Sequence, residues 1–186
     1  MTGVGRSRWI GRAAIHMRCA ALFTSRRWYA HEVGTRDQSA CGLFERLRSP
    51  EGEELVLKDN VFIEKILPAR ISRSLSEAAM TVYRKPYLRP GEDRRPTLQF
   101  PREIPIEGVP AHTARIVEDY SDWMATNDVP KLLINGDPGT ILIGKLLEFC
   151  RAWRNQEEVT VRGKHFLQEG SPHEIGQAIA RWLACV

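Results

Sequence analysis

The chain has 186 residues, 42% of them apolar and 27% charged, the balance of an ordinary globular protein able to bury one sizeable core. No run approaches the roughly 18 consecutive apolar residues of a membrane-spanning helix. The net charge of +4 sits at one end: Arg6, Arg8, Arg12, Arg18, Arg26 and Arg27 occupy an acid-free opening, leaving 21 basic against 23 acidic residues elsewhere, so a basic groove for nucleic acid is not expected.

Residues 1–30, with "AAIHMRCAALF" at their centre, have the Arg-rich composition of a mitochondrial transit peptide or of a segment with no selected structure, such as a mis-called start. From Ser39 to about Glu107 short helical patterns alternate with turn residues. "LFERLR" and "ELVLKDNVFIEKIL" place Leu55, Phe62 and Ile66 at helical intervals until Pro68, and "SLSEAAMTVYRKPYL" follows with Ser76 as N-cap. "RPGEDRRPTLQFPREIPIEGVP" carries five prolines, which predicts an irregular, ordered connection.

After Pro110 helix and strand alternate. "HTARIVEDYSDWMAT" sets Ile116, Val117, Tyr120, Trp123 and Met124 on one helical stripe, "KLLIN" reads as a buried strand, "KLLEFCRAW" aligns Leu146, Leu147, Cys150 and Trp153, and "EVTV" is a second strand. The last helix is predicted from Ser171 as N-cap, Pro172 at its first position, Glu174 completing a capping box, and an apolar face of Ile175, Ile179, Trp182 and Leu183. This is the tail of an open α/β sheet. Two parallel strands leave an apolar edge unpaired, so self-association through that edge is expected of the chain alone.

Cys19, Cys41, Cys150 and Cys185 form no CxxC pair, which predicts reduced thiols and a cytoplasmic protein, and the five histidines lack ligand spacing, so neither a metal nor a cofactor is expected. His165, between a strand and a capped helix, is placed where hydrolases hold a general base. Asp137 in "NGDPG" resembles a nucleophile elbow, but Pro138 has no N–H for an oxyanion hole; Asp137 reads as a turn residue, with orientation of His165 as its remaining role. Trp123, Trp153 and Trp182 read as core, whereas Phe44, Phe62 and Phe100 are candidates for an apolar pocket wall.

The segments "NVFIEKILP", "SEAAMTVYRKPYL", "EDRRPTLQFPREIPIEGVPA", "PKLLINGDPGTILIG" and "VTVRGKHFLQEGSPHEIGQAIARWL" resemble, in order, those of haloalkane dehalogenases, members of the α/β-hydrolase superfamily. The resemblance implies an incomplete α/β-hydrolase fold: an unmatched segment 1–30, a helical cap over 31–107, and over 108–186 the last two parallel strands with flanking helices. It implies hydrolysis of a small halogenated alkane by an Asp nucleophile, through an alkyl-enzyme ester that a His-activated water then cleaves, with no nucleic-acid or membrane partner. His165 matches the general base. Phe44 and Phe62 match cap residues of the cavity, Phe100, Pro101 and Ile104 the exit segment of the cap, and Ile141 and Phe166 core residues beside the cavity. The nucleophile, the halide-binding Trp and the oxyanion-loop Asn fall upstream of the matched segments, so the chain alone is expected to be inactive, a fragment of the whole enzyme.

Overall fold

A computed structural model describes residues 14–17 and 38–186. Apart from Ala14–Met17, the expectations made for residues 1–30 lie outside the described residues. The chain divides into two compact units, one uniting the first strand with residues from Asp119 onward, the other ending at Glu118.

The sheet unit is built on parallel strands. β1 (Ala14–Met17), β2 (Lys131–Pro138) and β3 (Gln156–Gly163) lie in the order β1-β2-β3, with Ala14 opposite Lys131 and Lys131 opposite Gln156. The two expected strands are there, and each runs further than its apolar pattern. A third lies within the stretch read as a leader or as unstructured, so the first edge of β2 is paired. β2 is buried from Lys131 to Asn135, as a central parallel strand must be. Side chains alternate along it: Leu132 and Ile134 join Val161, Leu167, Ile175 and Trp182 in one apolar cluster, and Leu133 is directed to the opposite face.

At the mouth of β2 the fully buried Lys131 donates from Nζ to the carbonyls of Asn127, Val129 and Arg154 at 2.8–2.9 Å, using all three ammonium donors. Burial lowers its pKa from the usual lysine value. The helices that follow are α4 (Ala111–Thr126), which crosses the boundary between the two units, α5 (Gly144–Arg151), the short α6 (Leu167–Gly170) and α7 (Pro172–Cys185), and the earlier helices lie in the other unit.

Helix α4 departs from its predicted stripe. Ala114, Val117, Ser121 and Met124 are buried at intervals of three and four, whereas Ile116 and Trp123 are 60% and 52% exposed. A helix with apolar residues on two sides does not reveal which side the core takes. Trp153 and Trp182 are buried as predicted. Helix α7 begins at Pro172, but the capping box is absent: the Ser171 hydroxyl donates to the carbonyl of Arg162 at 2.8 Å instead of accepting from its own helix. A cap in sequence has become a tie between helix and strand.

The helical unit contains α1 (Gln38–Arg48), π-helical turns Glu54–Lys58 and Phe62–Ile66, α2 (Glu77–Arg84) and α3 (Arg95–Glu103). Ser76 caps α2, accepting from the Ala79 N–H. The buried stripe before Pro68 is Val56, Ile63 and Leu67, one position beyond the predicted Leu55, Phe62 and Ile66. The proline-rich connection is also a correction, because Arg95–Glu103 is helical. Pro96 lies in the first turn, where an N–H is not needed, and Pro101 is so near the end that few helical bonds remain to be lost.

Arginines knit this unit. Arg94, 8% exposed, donates to the carbonyls of Tyr87 and Leu57 at 2.9 and 3.1 Å and also to that of Lys58. Arg95 and Arg102 pair with Glu53 at 2.8 and 2.9 Å, and Arg84 pairs with Glu64 at 2.8 Å.

Candidate active site

The carboxyl ends of β2 and β3 form the site. Gly136 and Gly163 are required there by a close approach: a Cβ on either would stand 2.6 Å from Leu167 Cδ2. Leu167 therefore seats in a notch that two glycines open, and it anchors the start of α6. The loop Lys164-His165-Phe166 between notch and strand is held in consequence. Across from it, the N–H of Gly139 donates to the Gly163 carbonyl at 3.0 Å, while φ of +64° puts Gly139 in the left-handed region.

His165 is half-buried, with its ring edge-on to Phe166 at a centroid distance of 4.8 Å. It lines a pocket of about 30 Å³ together with Ile134, Asn135, Gly136, Gly139, Ile141, Leu142, Lys164 and Leu167. Of the predicted residues, His165 and Ile141 are brought into this pocket, and Phe166 stands against the His165 ring. The others belong to the helical unit. Phe44 and Phe62 are half-buried, Pro101 and Ile104 are buried, and Phe100 is 50% exposed.

Asp137 ends up within β2, opposite Arg162, rather than in a turn. Its exposed carboxylate is not among the pocket-lining groups. Among the described residues, no carboxylate, hydroxyl or thiol side chain lines the pocket beside His165. Sequence reasoning missed Asn135 and Leu167. Strand pairing brings them to the site, and the glycines on both strands are the signal that would have located Leu167.

No protein-family profile matches the chain. Among curated proteins, the haloalkane dehalogenase of Sphingobium indicum is 55% identical over 141 residues, covering 76% of this chain and 48% of that protein. The ancestral haloalkane dehalogenase of known crystal structure superposes with a TM-score of 0.76 at 42% identity, over 80% of this chain and 53% of that one. The chain matches haloalkane dehalogenases of the α/β-hydrolase superfamily at high identity. It spans about half the length of the curated relatives it matches, and what it carries of their fold is the helical cap and an open part of the parallel sheet. The coelenterazine h 2-monooxygenase of Renilla reniformis is also similar, 40% identical over 139 residues, covering 74% of this chain and 44% of that protein. The shared scaffold thus serves more than one chemistry.

Proposed function

We propose that this haloalkane dehalogenase segment supplies the cap and the general-base side of a site that hydrolyses carbon–halogen bonds in small halogenated alkanes, and that by itself it turns over none. The observation that carries this is the pocket at the sheet end, which His165 lines and to which no carboxylate, hydroxyl or thiol side chain contributes among the described residues. A base alone does not make the covalent step. A carboxylate oxygen must first displace halide from carbon; His165 then takes a proton from water as the water oxygen attacks the ester carbonyl, releasing the alcohol. In this reading Phe44, Phe62, Phe100, Pro101 and Ile104 are cap-side substrate residues, and Ile141 and Phe166 are core-side ones.

Two measurements test it. The purified chain should release no halide from a brominated alkane above buffer; turnover abolished by His165→Ala would overturn the claim of inactivity. In a chimera carrying a family-type N-terminal half, His165→Ala should accumulate a covalent alkyl adduct visible by mass spectrometry, because the first step needs no base and the second does. Substrate binding without an adduct would remove His165 from this role.

Self-association is a second reading, favoured by the exposed Ile116 and Trp123 on α4. The outer edge strand β3 is less suited to it, since it presents Glu157, Glu158 and Arg162, and charged side chains discourage edge pairing.

A further inference from the structure

We propose that Ser171 is a positioning residue for His165, its hydroxyl locking the glycine hinge from which the histidine loop departs. This rests on the reading of His165 as the base. Gly163 has no side chain because Leu167 needs the room, a Cβ there standing 2.6 Å from Leu167 Cδ2. The same absence makes Gly163 the least restricted backbone between the strand and His165. A catalytic group must be held within roughly 0.5 Å and 10–20° of its working geometry, so a hinge in that place has to be closed.

Two hydrogen bonds close it. The Ser171 hydroxyl donates to the Arg162 carbonyl at 2.8 Å, and the Gly139 N–H donates to the Gly163 carbonyl at 3.0 Å. These carbonyls belong to the rigid peptide planes on either side of Gly163, and neither plane can turn about the glycine without breaking its bond. The Ser171 N–H donates in addition to the Leu167 carbonyl at 2.8 Å, so one residue, only 3% exposed, ties the strand end and the notch residue together. Its side chain makes no cap bond to α7. A serine at the start of a helix ordinarily makes that bond, and its surrender here points to the other use of the hydroxyl. Ser171 thus acts through the loop that carries His165, at one remove from the reacting atoms.

NMR of the full chain tests this without any turnover. The His165 ring lies edge-on to Phe166 at 4.8 Å, so its protons carry a ring-current shift that survives only while the loop keeps one conformation. The parent should show that shift, with amide order parameters of about 0.85 at Lys164, His165 and Phe166, the value of rigid backbone. Ser171→Ala should lose the shift and bring those amides below about 0.6, while Val159 and Val161 in the strand stay unchanged. Ser171→Thr keeps a hydroxyl and should restore both readings. Ser171→Asp separates the tie from a cap: an ionised carboxylate caps a helix well but only accepts, so α7 should stay protected while the histidine loop loosens. Mobile amides at Lys164, His165 and Phe166 in the parent would overturn the proposal whether or not the variants fold. So would an unchanged His165 shift in the alanine or aspartate variant, or no restoration by threonine. Failure of the base role is read separately, by the alkyl adduct.

Discussion

The two units solve the problem of cohesion differently. Around β2, buried Leu132 and Ile134 meet Val161, Ile175 and Trp182, and cohesion comes from apolar area removed from water. The helical unit has an apolar nucleus in Leu47, Val56 and Leu98. Its irregular turns leave carbonyls that no regular helix satisfies, and Arg94 and Arg48 bind them: Arg48 donates to the carbonyls of Val109 and Ile104, and Arg94 to those of Leu57 and Tyr87. A guanidinium with five donors can close several backbone ends at once, something no aliphatic side chain does. Broken helices therefore require polar fasteners, while a sheet with regular pairing needs chiefly a covered face.

The contrast can be broken by exchanging the insult. Leu132→Ala should cost the sheet unit about 2–5 kcal/mol through cavity formation. Arg94→Ala should cost the helical unit about 3 kcal/mol by orphaning buried carbonyls. Residue-resolved hydrogen exchange should show each loss confined to its own unit; uniform loss of protection would mean that the two share one cooperative core.

A finer test concerns the glycine notch. Gly136→Ala places a methyl group against Leu167 Cδ2, with the Gly163 carbonyl only 3.1 Å from the new carbon. Crowding of this kind costs about 1–3 kcal/mol, and thermal melting should fall accordingly. A doubly substituted Gly136→Ala, Leu167→Ala chain should recover part of the loss, whereas no recovery would place the strain elsewhere.

Acid should separate the units with a smaller effect. Hydrogen bonds from Arg84 hold the Glu64 carboxyl below its ordinary 4.5, and those from Arg102 and then Arg95 do the same for Glu53. A depressed carboxyl contributes its stability above the ordinary value and loses it as pH falls through the depressed one. Protection in the helical unit should therefore decline below about pH 4.5 while the Leu132 cluster holds. Simultaneous loss in both units would contradict this.

The smallest change in stability is expected at the exposed face of α4. Ile116→Gln with Trp123→Gln should alter stability by less than about 0.5 kcal/mol each and reduce any concentration-dependent association seen by sedimentation. Unchanged association would direct attention to the edge of β3.

Legibility in the sequence followed the same division. Leu132, Leu147, Cys150, Trp153 and Trp182 were readable because regular elements repeat their burial with a fixed period. Val56, Ile63 and Leu67 were displaced by one position, since π-helical turns do not keep the period of 3.6 that the pattern assumes. Ile116 and Trp123 misled because the pattern of a helix records apolar faces without saying which one a core occupies. At the pocket, the position of His165 just beyond a strand was readable from the sequence. The place of Asn135 in the pocket was not, because an unpaired buried oxygen and a small void have no spacing. β1 was unreadable for a plainer reason: a run of four residues carries too little periodicity to stand out from an arginine-rich background.

The seat of Leu167 has a meaning for assembly as well as for packing. It accepts a methyl group only where Gly136 of one strand and Gly163 of the other come together, in the register that sets Gly136 against Val161 and Pro138 against Gly163. A slip of β3 by one residue would bring Arg162 or Lys164, each bearing a Cβ, to the place of the second glycine. Misregistered pairings are thus rejected by collision before the histidine loop can close, and the notch serves as a gauge that proofreads the alignment of the strands on which the His165 loop depends.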